Sequence, residues 1–206
     1  TLSSSSAASD VYKRQTLDKM HAMVDRDERQ IQSLIRLIED MLDVSRIRTG
    51  KLSIRPAPID LAQLVRNLVD NFAPQVAAAE SSMQLQAESP VEGCWDEFRI
   101  EQVITNLLTN ALRYGAKSPV QVRVYTEHGE ARVEVRDHGI GISEENQKRI
   151  FQQFERVSAN HSAAGLGLGL FISEQIVAAH GGTIEVESQI GEGALFRVCL
   201  PLEVAE

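Results

Sequence analysis

The sequence predicts an α+β fold: a two-layer α/β sandwich in which helices cover one face of a mixed sheet, preceded by a long amphipathic helix. Three observations lead to this prediction. Apolar residues recur every three or four positions in several segments, which is the spacing of one helix face. Alternating apolar and polar residues form pairs of strands joined by short turns. Helical segments and strand pairs alternate along the chain, a pattern typical of a sheet packed against helices.

The amino-terminal third is expected to hold a tail and a long helix. Residues 1–15 are rich in serine and alanine, and we interpret them as a disordered tail or an artefact outside the fold. From Leu17 to about Arg48 the apolar positions follow helical spacing, and Thr49-Gly50 supplies a stop. We therefore expect three parts: the tail at 1–15, a helical segment at 16–50 and a main domain at 51–206.

The main domain is predicted to begin with an extended segment and two helices. Pro56 and Pro58 keep the chain extended, and Asp60 is placed to cap the helix behind it. A stronger helix is predicted over residues 97–114. Within it, Asn106 and Asn110 are four residues apart and should project from one face.

Two hairpins and one more helix complete the prediction. Val120–Tyr125 and Ala131–Arg136 alternate around the turn-like pair His128-Gly129. A helix is expected over Leu168–Ala179, ended by Gly181-Gly182. The last hairpin is expected to pair Thr183–Glu187 with Ala194–Leu200.

Composition limits the class of function. The hydrophobic content of 43% and the charged content of 24% are ordinary for a folded protein. A net charge of −8 argues against nucleic acid as a partner, because such proteins present a basic face to phosphates. Cys94 and Cys199 lie far apart, which favours a reducing cytoplasm over a disulfide framework or a zinc site.

No apolar run reaches the roughly 20 residues that cross a bilayer. The sequence leaves open whether a longer parent chain has an inner-membrane anchor.

Four segments carry polar residues or glycines that point to chemistry. Each alone has an ordinary interpretation as solvent-facing amides, turns, core aromatics or a linker. The glycine repeat at Gly165–Leu170 is the hardest to explain by its ordinary interpretation, because leucine alternates with glycine directly before a helix. In that position the repeat would offer bare backbone N–H groups to phosphate. It fits neither the Walker pattern nor the dinucleotide fingerprint. The four segments are Asn106–Tyr114, Asp137–Ile142, Phe151–Arg156 and Gly165–Leu170.

In this order, the four segments resemble the ATP-binding domain shared by sensor histidine kinases, type II topoisomerases, the large heat-shock chaperone and mismatch-repair ATPases. The resemblance is closest to the histidine kinases of two-component systems and covers residues 16–203. It includes Trp95-Asp96 before the asparagine helix and the sequence AHGG at 179–182. It implies an enzyme that binds ATP and Mg²⁺ and transfers the γ-phosphate to a histidine in a phosphorelay.

The resemblance also implies roles for residues of the asparagine helix and the acid that follows. Asn110 would be the magnesium ligand, supported one turn earlier by Asn106. Arg113 would contact phosphate, with a solvated helix charge as the alternative. Tyr114 would pack against adenine, and Asp137 would accept a hydrogen bond from the adenine amino group.

The remaining implied residues surround the nucleotide. Gly139 and Gly141 would let the backbone approach the base where a β-carbon would clash. Phe151 and Phe154 resemble the hinge of a lid formed by residues 155–166, and Arg156 would reach the γ-phosphate as a catalytic group. The phosphate loop would consist of Gly165, Gly167, Leu168 and Gly169.

Two departures from the family pattern matter. Asn106, which the resemblance counts among the catalytic residues, stands where the related ATPases have a glutamate that activates water, so hydrolysis should be slow. The acceptor motif, a histidine followed by an acid, is missing: His21 lacks the acid, and His128, His138, His161 and His180 read as loop or supporting residues. We interpret the chain as a truncated kinase without its acceptor helix.

The resemblance further implies partners. These are a histidine-bearing phosphoacceptor domain, the receiver domain of a response regulator, and a second copy of the chain in the full-length protein. The sequence DMLDVSRI at 40–47 resembles the last turns of the family's dimerisation hairpin. Two alternatives stay open: a nucleotide-binding or dimerisation module without catalysis, and an ATPase of the same superfamily.

Overall fold

The computed structural model describes residues 3–87, 90–115, 117–155 and 166–202. It divides into two units, Thr1–Leu42 and Asp43–Glu206. The second unit thus begins at Asp43, before the boundary expected near residue 50. Among the described residues, no helix has both the length and the apolar character that a membrane span requires.

The first helix, α1, spans Ser3–Arg48 and corrects one expectation. Residues 3–15, which we expected to be a disordered tail, are helical. The stretch from Ser3 to Arg48 contains neither proline nor glycine, so an existing helix can extend through it without a new nucleation step. The helix ends where predicted, at Thr49-Gly50, with Gly50 at a φ of +65°.

The second unit contains seven described strands and five described helices beyond α1. Six of them precede the central hairpin: β1 (Ala57–Asp60), α2 (Leu61–Asn71), α3 (Ala73–Ala78), β2 (Met83–Ala87), β3 (Glu92–Trp95) and α4 (Glu97–Tyr114). The hairpin consists of β4 (Val120–Glu127) and β5 (Glu130–Arg136). The chain then forms α5 (Glu144–Gln147), α6 (Gly169–Ala179), β6 (Thr183–Gln189) and β7 (Gly193–Pro201).

The main sheet is mixed. Its five strands lie in the order β2-β4-β5-β7-β6, with β2 parallel to β4 and every other pair antiparallel. Strands β1 and β3 form a separate antiparallel pair. The predicted α+β sandwich is therefore confirmed.

The two faces of the sheet differ in chemistry. One face carries buried apolar side chains such as Val122, Val133 and Val198, which share a core with α2, α4 and α6. The other face is polar and is organised around Glu134, which accepts hydrogen bonds from Tyr125 and Arg197. Burial alone would raise the pKa of Glu134, but these hydrogen bonds and the neighbouring arginine charges outweigh it and lower that pKa.

Capping groups fix where α2 and α4 begin. As predicted, Asp60 caps α2, because its carboxylate accepts from the N–H groups of Ala62 and Gln63. Asp96 caps α4 by accepting from the N–H of Arg99. The backbone N–H of Asp96 in turn donates to Nε2 of the buried His180, at 3.0 Å. The start of α4 is therefore tied to the residue that ends α6.

A buried ion pair joins the last turns of α1 to α4 within the second unit. Nη1 of Arg99 donates to both carboxylate oxygens of Asp43, at 3.0 and 2.9 Å. Gln102 closes the cluster, since it accepts from Arg99 and donates to Asp43. Both charged side chains are less than 10% exposed. The end of α1 is thus part of the packed second unit.

Candidate functional site

Helix α4 carries four of the sequence-predicted site residues. Asn106 and Asn110 lie one turn apart and are both half-buried, while Arg113 is exposed in the last turn and Tyr114 is half-buried at its end. Nδ2 of Asn106 donates a hydrogen bond of 3.0 Å to Oγ of Ser173 on α6. The apolar face of α4 is fully buried, which holds this row of side chains in place.

The glycine loop meets α4 at Asn106. Gly167 has a φ of +71°, a conformation that favours glycine, and Leu168 is buried. Gly169 opens α6, and a β-carbon there would lie 2.9 Å from Cγ of Asn106 and overlap its amide oxygen. The structure therefore brings the predicted asparagine and the predicted phosphate loop into direct contact.

Asp137 lies just beyond the end of β5 and is 6% exposed. Its Oδ1 accepts a hydrogen bond of 2.9 Å from the N–H of Gly139. Burial raises the pKa of Asp137, although hydrogen bonds from backbone N–H groups and nearby cationic groups oppose the change. A buried carboxylate just beyond the end of a central strand is suited to accept a hydrogen bond from a ligand.

The glycines of the Asp137 loop are required by the protein itself. A β-carbon on Gly139 would overlap the carbonyl of Tyr114, and one on Gly141 would overlap the carbonyl of Gln189. The N–H of Ile140 donates to the same Tyr114 carbonyl at 3.3 Å. Close packing of the loop against α4 and β6 thus explains both glycines and places the end of α4 beside Asp137.

The β6–β7 hairpin supports this loop through residues that carried no motif signal. Oγ of Ser188 donates to the carbonyl of Gly193 and accepts from the N–H of Ile142, at 2.6 and 2.8 Å. The side-chain amide of Gln147 donates to the carbonyls of Ile142 and Ser188. Sequence reasoning missed Ser188 and Gln147, because their roles depend on contacts between distant segments.

The aromatic pair differs in burial. Phe151 packs against the core, whereas Phe154 is 61% exposed and has a φ of +64°. The N–H of Phe154 donates to the carbonyl of Gly167, at 3.1 Å, so the second phenylalanine adjoins the glycine loop. Arg156, Gly165, His161 and the rest of segment 156–165 lie outside the described residues.

Comparison with known proteins shows the family to which the chain is similar. Residues 95–204 match the family described as histidine kinase-, DNA gyrase B-, and HSP90-like ATPase. The circadian input-output histidine kinase CikA of Synechococcus elongatus is 35% identical over 176 residues, which are 82% of this chain and 23% of that protein. The alginate biosynthesis sensor protein KinB of Pseudomonas aeruginosa is 35% identical over 177 residues, which are 85% of this chain and 29% of that protein. The chain therefore spans less than a third of either relative.

Solved structures show the same fold. Full-length ShkA in complex with AMPPNP superposes with a TM-score of 0.74 at 28% identity, covering 84% of this chain and 36% of that chain. The histidine kinase AdeS of Acinetobacter baumannii gives a TM-score of 0.71 at 25% identity, covering 84% of this chain and 81% of that chain. From the matched segment and these relatives, we conclude that the chain belongs to the histidine kinase-, DNA gyrase B- and HSP90-like ATPase family and, within that family, to the sensor histidine kinases.

Proposed function

We propose that this chain is the ATP-binding catalytic part of a sensor histidine kinase and presents the γ-phosphate of ATP to a histidine on a phosphoacceptor domain. One observation carries the proposal. The buried Asp137 lies beside the last residues of α4, and the contact between Asn106 and Gly169 lies further back along the same helix. A base-binding acid and a phosphate-binding loop are thereby held at two points of one rigid helix.

The Asp137 end suits the purine. Its carboxylate would accept a hydrogen bond from the exocyclic amino group of adenine, while Tyr114 would pack against the ring. Because one carboxylate oxygen already accepts from the Gly139 N–H, the carboxyl group is held in a fixed orientation. ATP would supply the transferable phosphoryl group, and these residues would bind and orient it.

The α6 end suits the phosphates and magnesium. Helix α6 begins at Gly169 without a side-chain cap, so its first N–H groups can meet an anion. Asn110 offers a neutral amide oxygen, a ligand that suits a hard cation. The described residues contain no group of three His, Cys, Asp or Glu side chains that could hold a metal. Mg²⁺ at Asn110 would thus take its other ligands from phosphate oxygens and water.

The partners follow from the same proposal. The γ-phosphate would pass to an imidazole of a separate phosphoacceptor domain and then to an aspartate of a response-regulator receiver domain. Residues 16–50 would contribute one helix of the dimerisation hairpin in a homodimeric parent protein. Since ATP is the substrate, we place the catalytic part in the cytoplasm.

Isothermal titration with AMPPNP and Mg²⁺ tests the proposal. The full chain should bind one nucleotide, and Asp137→Ala or Asn110→Ala should weaken binding by at least about tenfold, the loss expected for one charge-assisted or metal-mediated contact. Asp70→Ala and Asn67→Ala remove the same residue types from exposed positions on α2, and they should bind as the unaltered chain does. Folded protein that releases no heat with AMPPNP would refute the proposal.

A second candidate is a dimerisation module without catalysis. It is favoured by the exposed apolar side chains along the first unit, which include Ile31, Leu34, Ile38 and Met41. It predicts self-association of the chain with no nucleotide binding. The titration above separates the two candidates when it is combined with a sedimentation measurement.

A further inference from the structure

The amide of Asn106 contacts α6 at its first residue, Gly169, and one turn further on at Ser173. Its Nδ2 donates a hydrogen bond of 3.0 Å to Oγ of Ser173. Its Cγ lies 2.9 Å from the position that a β-carbon of Gly169 would take. Gly169 and Ser173 are four residues apart and therefore share one face of α6. The amide thus packs between a glycine that makes room for it and a hydroxyl that fixes its orientation.

Ser173 is buried where bulk water cannot replace its partner. The residue is 2% exposed, and its helix neighbours Ile172 and Ile176 belong to the hydrophobic core. Buried polar groups are stable only when they are hydrogen-bonded, and the loss of one partner leaves the other with the full cost of its desolvation. The Asn106–Ser173 bond therefore favours one relative placement of the two helices over others.

The position of the amino end of α6 depends on this contact. Gly169 is the first residue of α6, and the carbonyl of Gly167 just before it accepts from the N–H of Phe154. The first N–H groups of the helix point toward its amino end, where a phosphate would bind. Asn110 lies one turn from Asn106 on α4. The contact therefore helps to fix the spacing between the proposed magnesium ligand and the proposed phosphate-binding N–H groups.

We propose that Ser173 is a positioning residue for the triphosphate, acting through the amide of Asn106. Ser173 does not touch the nucleotide in this assignment. In this assignment, Nδ2 of Asn106 holds the start of α6 through its hydrogen bond to Ser173. The inference rests on the proposed function, since it concerns the phosphate end of the same site.

Two ligands separate this role from a general structural one. AMPPNP with Mg²⁺ probes the whole site, and adenosine, measured by NMR titration, probes the base end alone. Ser173→Ala should weaken AMPPNP–Mg²⁺ binding by about tenfold, the loss of roughly one buried hydrogen bond. Adenosine affinity should stay unchanged, because Asp137 and Tyr114 are untouched. Ser173→Thr keeps the hydroxyl and should restore most of the AMPPNP affinity.

Thr109→Ala is the matched control on α4. Its hydroxyl donates to the carbonyl of Thr105 within the helix, at 2.7 Å, so its loss removes one hydrogen bond without affecting α6. This variant should bind both ligands normally. Amide hydrogen exchange of Ile172, whose N–H donates to the carbonyl of Leu168, gives a second readout without nucleotide, and it should quicken in Ser173→Ala and stay unchanged in Thr109→Ala.

Each other outcome overturns the inference in a distinguishable way. Equal AMPPNP affinity in Ser173→Ala and the unaltered chain would show that the bond does not position the phosphates. Parallel loss of adenosine and AMPPNP affinity would show that Ser173 supports the whole site. Equal affinity of the unaltered chain for adenosine and AMPPNP, whether or not Mg²⁺ is present, would refute the proposed phosphate site and this inference with it.

Discussion

At the scale of single residues, the ionisation of Asp137 acts against folding. Burial raises the pKa of its carboxyl group, so the folded protein binds a proton there more readily than the unfolded chain does. Below the ordinary pKa of aspartate, both states are protonated and ionisation costs nothing. As the pH rises through the raised pKa, the folded state alone bears the cost of a buried charge, and stability falls. A ligand that donates a hydrogen bond to the carboxylate would offset this cost.

Asp137→Asn should therefore separate stability from binding. We expect its free energy of unfolding at neutral pH to exceed that of the unaltered chain, because a neutral amide replaces a buried charge and can still accept from Gly139. The advantage should shrink on acidification and vanish below the ordinary pKa of aspartate. AMPPNP affinity should fall by about tenfold or more. Thermal unfolding across pH, with calorimetry at neutral pH, measures both effects.

Asp70→Asn is the control for this prediction. Asp70 is exposed on α2, so Asp70→Asn should leave both the free energy of unfolding at neutral pH and nucleotide binding close to those of the unaltered chain. A variant Asp137→Asn that is less stable than the unaltered chain by the same amount at every pH would contradict the assignment of the cost to ionisation.

At the scale of elements, periodicity predicted the helices and hairpins that form the core of the site. Helix α4 has the predicted bounds, 97–114, and both hairpins form where alternation predicted them, with slightly longer strands. The His128-Gly129 turn has positive φ at both residues, as a tight hairpin requires. These segments were predictable because one face of each is buried in the core.

Other elements gave weaker sequence signals. Strand β1 contains Pro58, which argues against a strand, and β3 has four residues including Gly93. Strand β2 does alternate, yet five residues at the sheet edge are too few to distinguish a strand from a loop. The helix over residues 3–15 was missed because its composition resembles that of a linker. These elements are determined by pairing or by continuity with a neighbour.

The ion pair between α1 and α4 should dominate stability at that junction. Arg99→Ala leaves the carboxylate of Asp43 buried and without its guanidinium, which should cost about 3–5 kcal/mol. Unfolding by urea, followed by the fluorescence of the single, buried Trp95, reports on this unit. The double variant Asp43→Leu with Arg99→Met should recover most of the loss, because apolar side chains can replace a buried ion pair.

Arg46 provides the matched control. Its guanidinium lies 3.7 Å from the same carboxylate, but its side chain is 55% exposed, so Arg46→Ala should cost less than about 1 kcal/mol. Similar losses for Arg46→Ala and Arg99→Ala would mean that burial does not decide the strength of these pairs.

At the scale of the whole molecule, motif order supplied the residues of the candidate site but not the contacts that hold those residues together. Asn106, Asp137, Gly139 and Gly169 were named through the family resemblance that the four motifs carry, and the structure connects them through α4. Ser173 and Asp43 were not identified. Each acts through a partner more than 50 positions away, and no local pattern marks such a pair. Long-range side-chain contacts depend on how the helices pack, which periodicity does not specify.

The exposed apolar side chains of the first unit predict self-association. Sedimentation velocity of the full chain should show a mass that rises with protein concentration, because pairing would bury side chains that are otherwise about half exposed, among them Leu34 and Ile38. The double variant Leu34→Glu with Ile38→Glu should remain monomeric and still bind AMPPNP. Arg26→Glu, at an exposed position on the same helix, is the control for added acidic charge. Concentration-independent mass for the unaltered chain would contradict the prediction.

The place of β7 in the sheet has a consequence for biosynthesis. This strand leaves the ribosome after the other four strands of its sheet, yet it lies between β5 and β6 and pairs with both. Until it emerges, β5 has one open edge and β6 has no neighbour in the sheet. A nascent or prematurely terminated polypeptide would expose that edge, where a strand of another chain can add and start aggregation. A chaperone that covers this edge during the interval would prevent such pairing.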